Sequence, residues 1–460
     1  MKQLRFVSVH EMSSLVPNTR YSDSSAATPV LKLICPNLVR IDADLQIRPE
    51  LAASWDCEDD GRTYRFYLRK GLVFHNGAPL TAESVKSNFM WMFDQRNDSP
   101  SAYDFDLLEQ INCINEHTIE FVFKKPFPAF LYHLGGRSHI AADSMAQPVG
   151  AGPYKLKEWV HGRYLRLKKF DAYWDADNVI NDEVLISWAP TAEERSQIIE
   201  NQSFDIMEAV PAAAVPLTEQ GLLNVLTSPS TFRYTMAFNC QQAPFNHVKL
   251  RSLVAKLIDV DALASQFIPN YQSEQSLQQS QEQKDSSQAE TIKEIKALLA
   301  QLGYDDGVTV QTVCTAVSPL PAIAKEVAQT LALCGIQLDI RHYEDPPWWP
   351  HIYIDGNWQV AFQTMGTRAH PDALYRREFA TQGPFNATGY SNEKVDQLLI
   401  EAQSTPNAET LYEQVKQQLA IDAPVIDLCE TQTVAGIRPG VQHFSAHPLG
   451  YWDIERVKVE

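Results

Sequence analysis

No stretch of this chain approaches the roughly 20 consecutive apolar residues that a helix needs to cross a bilayer, which excludes a helical membrane span. The opening MKQLRFVSVHEM runs directly into alternating residues, without the apolar core of roughly 7–15 residues that a secretion signal carries. The expectation is a protein that stays inside the cell, or one whose signal has been removed. Basic blocks are missing too: 57 Asp and Glu outnumber 39 Lys and Arg, for a net charge of −18. Counterion release from a nucleic acid needs a basic face, so nucleic acid is not an expected partner. The seven cysteines (Cys35, Cys57, Cys113, Cys240, Cys314, Cys334, Cys429) are odd in number, widely spaced and free of any C-x-x-C. That usage fits buried thiols in a reducing compartment, with one or two disulfides in an exported form left open.

Catalytic signatures are equally lacking. G-x-S-x-G, G-x-x-x-x-G-K-[ST], G-x-G-x-x-G and H-E-x-x-H do not occur. VGAGPY (149–154) offers a Gly-Ala-Gly, but Pro153 blocks the helix that a phosphate site would need. His443 and His447 stand four apart between Gly440 and Pro448, outside any helix that would align them on a metal. No catalytic residue, metal ligand or cofactor is expected.

What is present is a soluble globular composition, 44% apolar and 21% charged, over 460 residues. A chain of that length is expected to form two or three domains. LRFVSV (4–9), TYRFYLR (63–69), HTIEFVF (117–123), EVLISW (183–188) and FRYTMAFN (232–239) read as strands by period-2 alternation or β-branched and aromatic content. In FHNGAPLTAESVK (74–86), Asn76-Gly77 supplies a turn, Thr81 an N-cap and Glu83 a first-turn acid. Val85, Phe89 and Met92 then share one helical face, and His75 reads as scaffold. Thr191 and Glu194 form a capping box, and amphipathic helices follow at 291–302, 322–334, 391–403 and 410–420. The helix at 322–334 stops at Gly335 and enters a strand, which makes an α/β unit. Residues 272–288, with seven glutamines, read as a surface loop.

Several of these stretches together resemble the bacterial extracellular solute-binding proteins of family 5, the peptide- and nickel-type receptors of ABC importers. The resemblance is carried by 45–89, PVGAGPYKLKEW (148–159), FDAYW (170–174), ENQSFDIM (200–207), 236–254, 295–304, GYSNEKVDQLLIEA (389–402), LAIDAPVIDL (419–428) and PLGYWDIERV (448–457), in the family's order. It implies an α/β, two-lobe periplasmic-binding-protein-like fold with the ligand cleft at a hinge. Lobe I would comprise 1–40, 150–237 and 428–460, with an extra subdomain at 41–149, and lobe II would span 238–427. It further implies a small-molecule ligand, ABC permease subunits as partners, a monomer, and a place on the periplasmic or cell-envelope side.

The chain departs from the family where specificity is set. The lobe II loop that usually reads Trp-Gly-x-x-x-Asp-Pro is here TMGTRAHPDALYRR (364–377): Met365 stands for the tryptophan, and His370 replaces the aspartate before proline. Arg368 lies where peptide receptors carry an acid for the peptide's α-ammonium. A buried guanidinium facing an ammonium costs several kcal/mol without a counter-charge, whereas a carboxylate or phosphate suits its paired donors. Arg137, in LGGRSHIAA, falls near the segment where nickel-type relatives present an arginine to a carboxylated chelate. Trp348, Trp349 and Trp358, in PPWWPHIYIDGNW, read either as a stacking wall or as lobe II core, and Tyr21 and Tyr103 match aromatic positions of the cleft. The site expected from the resemblance is therefore Tyr21, Tyr103, Arg137, Trp349, Trp358, Met365, Arg368 and His370. A second reading is a cytoplasmic ligand sensor, because some transcription regulators of the sugar-phosphate-stress type carry the same module behind a helix-turn-helix.

Overall fold

The computed structural model describes residues 2–460 except 25, 59, 98, 143–147, 269–280, 344–351, 354–355 and 367. A ten-stranded mixed sheet runs through the molecule. Its order is Ile336–Tyr343, Val308–Thr315, Val360–Met365, Asn224–Phe238, Val425–Ile437, Ile206–Glu208, Gln3–Ser8, Glu183–Trp188, Tyr164–Lys169 and Tyr154–Val160. Gln3–Ser8 pairs in parallel with Glu183–Trp188 and Ile206–Glu208, and Val308–Thr315 in parallel with Ile336–Tyr343 and Val360–Met365.

The two central strands join the halves. Asn224–Phe238 is 15 residues long and pairs antiparallel with Val425–Ile437, of 13 residues. Near its start it lies across from Gln432–Ile437, which borders Ile206–Glu208; near its end, Arg233–Phe238 borders Val360–Met365. Between Pro229 and Arg233 the register shifts, so Ser230, Thr231 and Phe232 drop out of the ladder. Thr231 instead donates from both N and Oγ1 to Pro448 O at 3.1 Å, and Thr431 Oγ1 donates to Phe232 O at 2.9 Å. Of the expected strand 232–239, the sequence pattern marked only the second half. NVLTSP, the first half, mixes a proline with polar residues and is ordered by its neighbours on both sides.

Separate hydrophobic cores lie on this frame. One gathers Leu4, Phe6, Val30, Leu31, Ile186 and Trp452, and another gathers Val254, Ile295, Ile323, Val327, Val310 and Phe362. A third belongs to a four-stranded antiparallel sheet in the order Ala52–Cys57, Thr63–Leu68, Thr118–Phe123, Leu108–Asn115. Tyr64, Phe66 and Leu68 turn inward on Thr63–Leu68, as their alternation requires. The rings of Tyr64 and Phe66 meet Phe121, Phe123 and Phe130 edge-on, and the ring centroids of Phe123 and Phe130 are 4.7 Å apart. Helix Ala82–Phe93 closes this core with Val85, Phe89 and Met92, its N-terminus capped by Thr81 with Ser84 completing the box.

The Thr191–Glu194 box caps helix Ala192–Glu200, and His75 holds Gly152 O at 3.1 Å, a scaffold contact. One expectation is corrected. The glutamine-rich segment is not a loop throughout: 272–280 lie outside the described residues, but helix Gln281–Gln301 begins within it. Glutamine, glutamate, lysine and alanine are good helix formers, so a helix anchored by Ile295 and Leu299 extends outward through them.

The Gly-Ala-Gly of VGAGPY is explained by close approach. Helix Ala27–Ile34 ends against it, Gly152 N donating to Ile34 O at 3.0 Å. A Cβ on Gly150 would fall 1.8 Å from Ile34 O, and one on Gly152 2.2 Å from Leu33 O. Gly150→Ala is therefore expected to destabilise the protein by roughly 3 kcal/mol, the upper range for forced overpacking. Urea denaturation checks this, and a loss below about 1 kcal/mol contradicts it.

Candidate functional site

Between the two halves of the sheet, charged side chains meet from opposite directions. On one side the segment after Gln3–Ser8 is held by Asn18, whose side chain exchanges hydrogen bonds with His139 N (2.9 Å) and O (2.8 Å). The following turn, with Ser22 N and Asp23 N donating to Thr19 O, presents Asp23. Helix Phe130–Arg137 places His133 and Arg137 one turn apart on one face. Helix Ser101–Asp104 brings Tyr103 and Asp104. From the other side come Arg368 and helix Pro371–Phe379, capped by His370 Nδ1 accepting from Asp372 N at 3.2 Å. That helix carries Asp372, Arg376, Arg377 and Glu378.

Three guanidinium groups converge on one carboxylate. Asp23, 4% exposed, pairs through Oδ1 with Arg137 and with Arg368 (3.4 Å), and through Oδ2 with Arg377 (2.5 Å). Arg377 also lies 3.6 Å from Asp104 and 4.7 Å over the Phe385 ring. Burial and the charge of neighbouring Arg368 push the Arg137 pKa well below its ordinary value. Burial and the charge of Arg377 bring Arg368 down to about 10. Burial raises Glu378 to about 7 against the pull of Arg368, Arg377 and Arg137. Besides Asp23, the acids that face these arginines are Asp104, already shared with His133, and the weakened Glu378.

A second bridge runs alongside. His133 Nε2 meets Asp372 at 2.8 Å and its Nδ1 lies 3.7 Å from Asp104. Tyr412 Oη donates to Asp372 at 3.2 Å. Arg376 pairs with Asp106 at 2.6 Å and lies 4.8 Å over Tyr103, and Gln403 also donates to Asp106, at 2.7 Å. Arg20 donates to Pro384 O at 2.9 Å.

Beside these contacts a cavity of about 270 Å³ opens at the strand bulge, lined by Ser230, Thr231, Arg233, Arg368, Pro371, Leu374 and Tyr375. Arg233 pairs with Asp427 at 2.7 Å, while its Nε has no hydrogen-bond partner among the described residues; the same holds for Arg377 Nε. The cavity lining therefore combines the guanidinium groups of Arg233 and Arg368 and the hydroxyl-bearing Ser230 and Thr231 with the apolar Pro371 and Leu374 and the ring of Tyr375.

Of the residues expected at the site, Arg137 and Arg368 are brought together, joined by Asp23. His370 sits beside them between Tyr132 (5.1 Å) and Tyr412 (5.9 Å), and Tyr103 stacks under Arg376. Met365 is buried, its Sδ 3.8 Å from Arg233. Tyr21 is 55% exposed. Trp358 is withdrawn from the cleft: it is 1% exposed, its indole donates to Ile352 O at 3.0 Å, and it packs with Val313 and Ala361. The apolar filling of that core required it, and the core alternative holds at this residue. Trp349 lies outside the described residues. Sequence reasoning passed over Asp23, Asp104, His133, Asp372, Arg376 and Arg377. The adjacent arginines of LYRR and the i, i+4 spacing of His133 and Arg137 were the available signals. Among the described residues no three of His, Cys, Asp and Glu gather as metal ligands.

A sheet shared by two halves, with charged groups closing over a cavity where its long strands bulge, defines a two-lobe solute-binding protein. The family described as bacterial extracellular solute-binding proteins, family 5 middle, matches residues 46–387, and the chain belongs to it. The dipeptide-binding protein of Escherichia coli K12 is 23% identical over 479 residues, covering 90% of this chain and 86% of that protein. Two solved structures share the fold over all of this chain. The E. coli murein tripeptide binding protein MppA has a TM-score of 0.87 at 19% identity, with 98% of it covered. AgaA from A. tumefaciens R10, in complex with agropinic acid, has 0.84 at 22%, with 99% covered. Proteins of this family are non-enzymatic components of ABC importers that bind small ligands. Among the described residues no helix is long and apolar enough to cross a membrane.

The His133 bridge predicts a pH dependence. Burial alone would lower its pKa, but Asp104 and Asp372 overcome burial and raise it. A raised histidine contributes stability in full below its unfolded value of about 6.5 and loses it as pH rises through the folded value. The melting temperature lost on His133→Gln should accordingly be largest below about pH 6.5 and shrink as pH rises above it. Buried histidines held neutral, such as His75 and His139, give the opposite slope in parent and variant alike, so the difference between the two curves is the readout. A difference that does not change with pH contradicts the bridge.

Proposed function

We propose that this chain is the solute receptor of an ABC importer, and that it captures a small acidic solute between its lobes by hinge closure. The lobes are 1–40, 150–237 and 428–460 with 41–149 packed on them, against 238–427. The hinge is the bulge at Ser230–Phe232, where the two strands that join the halves lose their pairing. The reading rests above all on the convergence of Arg137, Arg368 and Arg377 on a single carboxylate. Taking guanidinium groups out of water costs several kcal/mol each unless anions meet them, and a ligand carboxylate or phosphate supplies paired acceptors. Arg233 and Arg368 would hold the acidic group, with Pro371, Leu374 and Tyr375 against the apolar part of the solute. The agropinic acid in the AgaA structure is an acidic ligand on this same fold. A peptide held by its free ammonium fits poorly, because both oxygens of Asp23 already face guanidinium groups. The chain acts as a monomer and does not bind nucleic acid on this reading, in keeping with its acidic surface.

A thermal-shift screen of carboxylates, phosphosugars and chelates supplies the test ligand. Arg368→Ala should weaken binding of the best acidic hit by roughly 1.5–3 kcal/mol in calorimetry, the worth of a charge-assisted hydrogen bond. Unchanged affinity sinks the reading. Glu378 adds a pH signature. Below its pKa of about 7 it is neutral and stops competing for the arginines, so affinity for the acid should rise as pH falls through that value. Glu378→Gln should bind about as tightly at high pH as the parent does at low pH; a parent whose affinity falls with falling pH contradicts the assignment.

A further inference from the structure

The charge balance of the cleft singles out Asp23. It lies on an irregular segment, outside helix and sheet, yet is 4% exposed and engages guanidinium groups from both sides of the cleft. Arg137 belongs to its own side, while Arg368 and Arg377 come from beyond strand Val360–Met365. Oδ1 is shared between Arg137 and Arg368 and Oδ2 faces Arg377, so neither oxygen is available to a ligand cation. A second carboxylate brought to the same arginines would compete for the same donors.

We infer that Asp23 is an internal occupant of the anion site: it bridges the lobes through Arg368 and Arg377 and sets specificity by competing with the acidic group of the incoming solute. The inference rests on the acidic-ligand reading proposed above and extends it to a residue that opposes binding. A solute with one weakly held anionic group gains little, because each guanidinium it takes must be released by Asp23. A solute whose acidic group is joined to an apolar part that fills the cavity beside Arg233 gains the further contact needed to displace Asp23 and keep the lobes bridged. Asp23 therefore acts as a filter against small inorganic anions. The two nearest acids cannot substitute for it: Asp104 is shared with His133, and Glu378 is close to half-neutral at neutral pH.

The test uses sulfate as the probe, titrated calorimetrically at constant ionic strength into the parent protein, Asp23→Asn and the double variant Asp23→Asn/Arg368→Ala. Small-angle scattering of each protein in sulfate-free buffer is measured in parallel. The expected result is sulfate binding at least tenfold tighter in Asp23→Asn than in the parent, loss of that gain in the double variant, and a larger radius of gyration for Asp23→Asn without sulfate. Equal or weaker sulfate binding by Asp23→Asn overturns the inference, and so does an unchanged radius. If the double variant keeps the gain, the anion is not held by Arg368; the acidic-ligand reading then fails at that residue, while the scattering comparison still decides whether Asp23 bridges the lobes. Should Asp23→Asn melt too low to titrate, Arg377→Gln removes the bridge from the other side and must give the same expansion; a compact Arg377→Gln protein overturns the inference equally.

Discussion

A guanidinium group withdrawn from water has to find an anion, and the cleft of this protein is organised around that requirement. Arg137, Arg368 and Arg377 are brought together from two halves of the chain and share one carboxylate, Asp23. Each of the surrounding features follows from the crowding of like charges. Arg377 recruits Asp104 and rests on the Phe385 ring, and Arg376 turns away to Asp106 and Tyr103. His133 is clamped between Asp104 and Asp372. The result is a seam of ion pairs built by groups from both sides, with three guanidinium groups on one carboxylate at its centre.

The frame under this seam is simple. Two strands cross between the halves; their register shifts between Pro229 and Arg233 and again between Tyr234 and Thr235, and the longer lapse is the bulge at Ser230–Phe232. Elsewhere in the sheet each half is knitted to its own neighbours and packed on its own core, so bending concentrates where the ladder is interrupted. On the proposed reading, binding free energy that distinguishes a closed arrangement from an open one would be converted into closure through the arginines that face each other across the seam. On the proposed reading, the cavity at the bulge would place the solute against the hinge.

Much of the frame was legible in the sequence because short-range chemistry dictated it. Thr63–Leu68 alternates strictly, Thr81 and Thr191 announce their helices, and the order of family stretches gave the architecture without any coordinates. The site was half legible. Arg368 was visible as a departure from the family's loop and Arg137 by its nearness to the arginine of the nickel-type relatives, and the structure brings the two within reach of one another. Their common partner Asp23 was not visible, because a single aspartate in a polar loop carries no periodicity, and its significance lies in contacts 114 and 345 residues away along the chain. Asp372 and His133 lie on helices, but their pairing too spans 239 residues of chain and leaves no local sign. Trp358 was ambiguous in the other direction: an aromatic cluster has the same composition whether it lines a cleft or fills a core, and only burial separates the two.

Native mass spectrometry of the purified protein, with the same sample denatured as control, tests the central claim most directly. A solute enclosed between two lobes is released slowly and travels with the protein into the gas phase. The account predicts a discrete excess mass that disappears on denaturation and corresponds to a compound bearing carboxylate or phosphate groups. An excess mass that proves to be a compound with a free amine and no acidic group would contradict it.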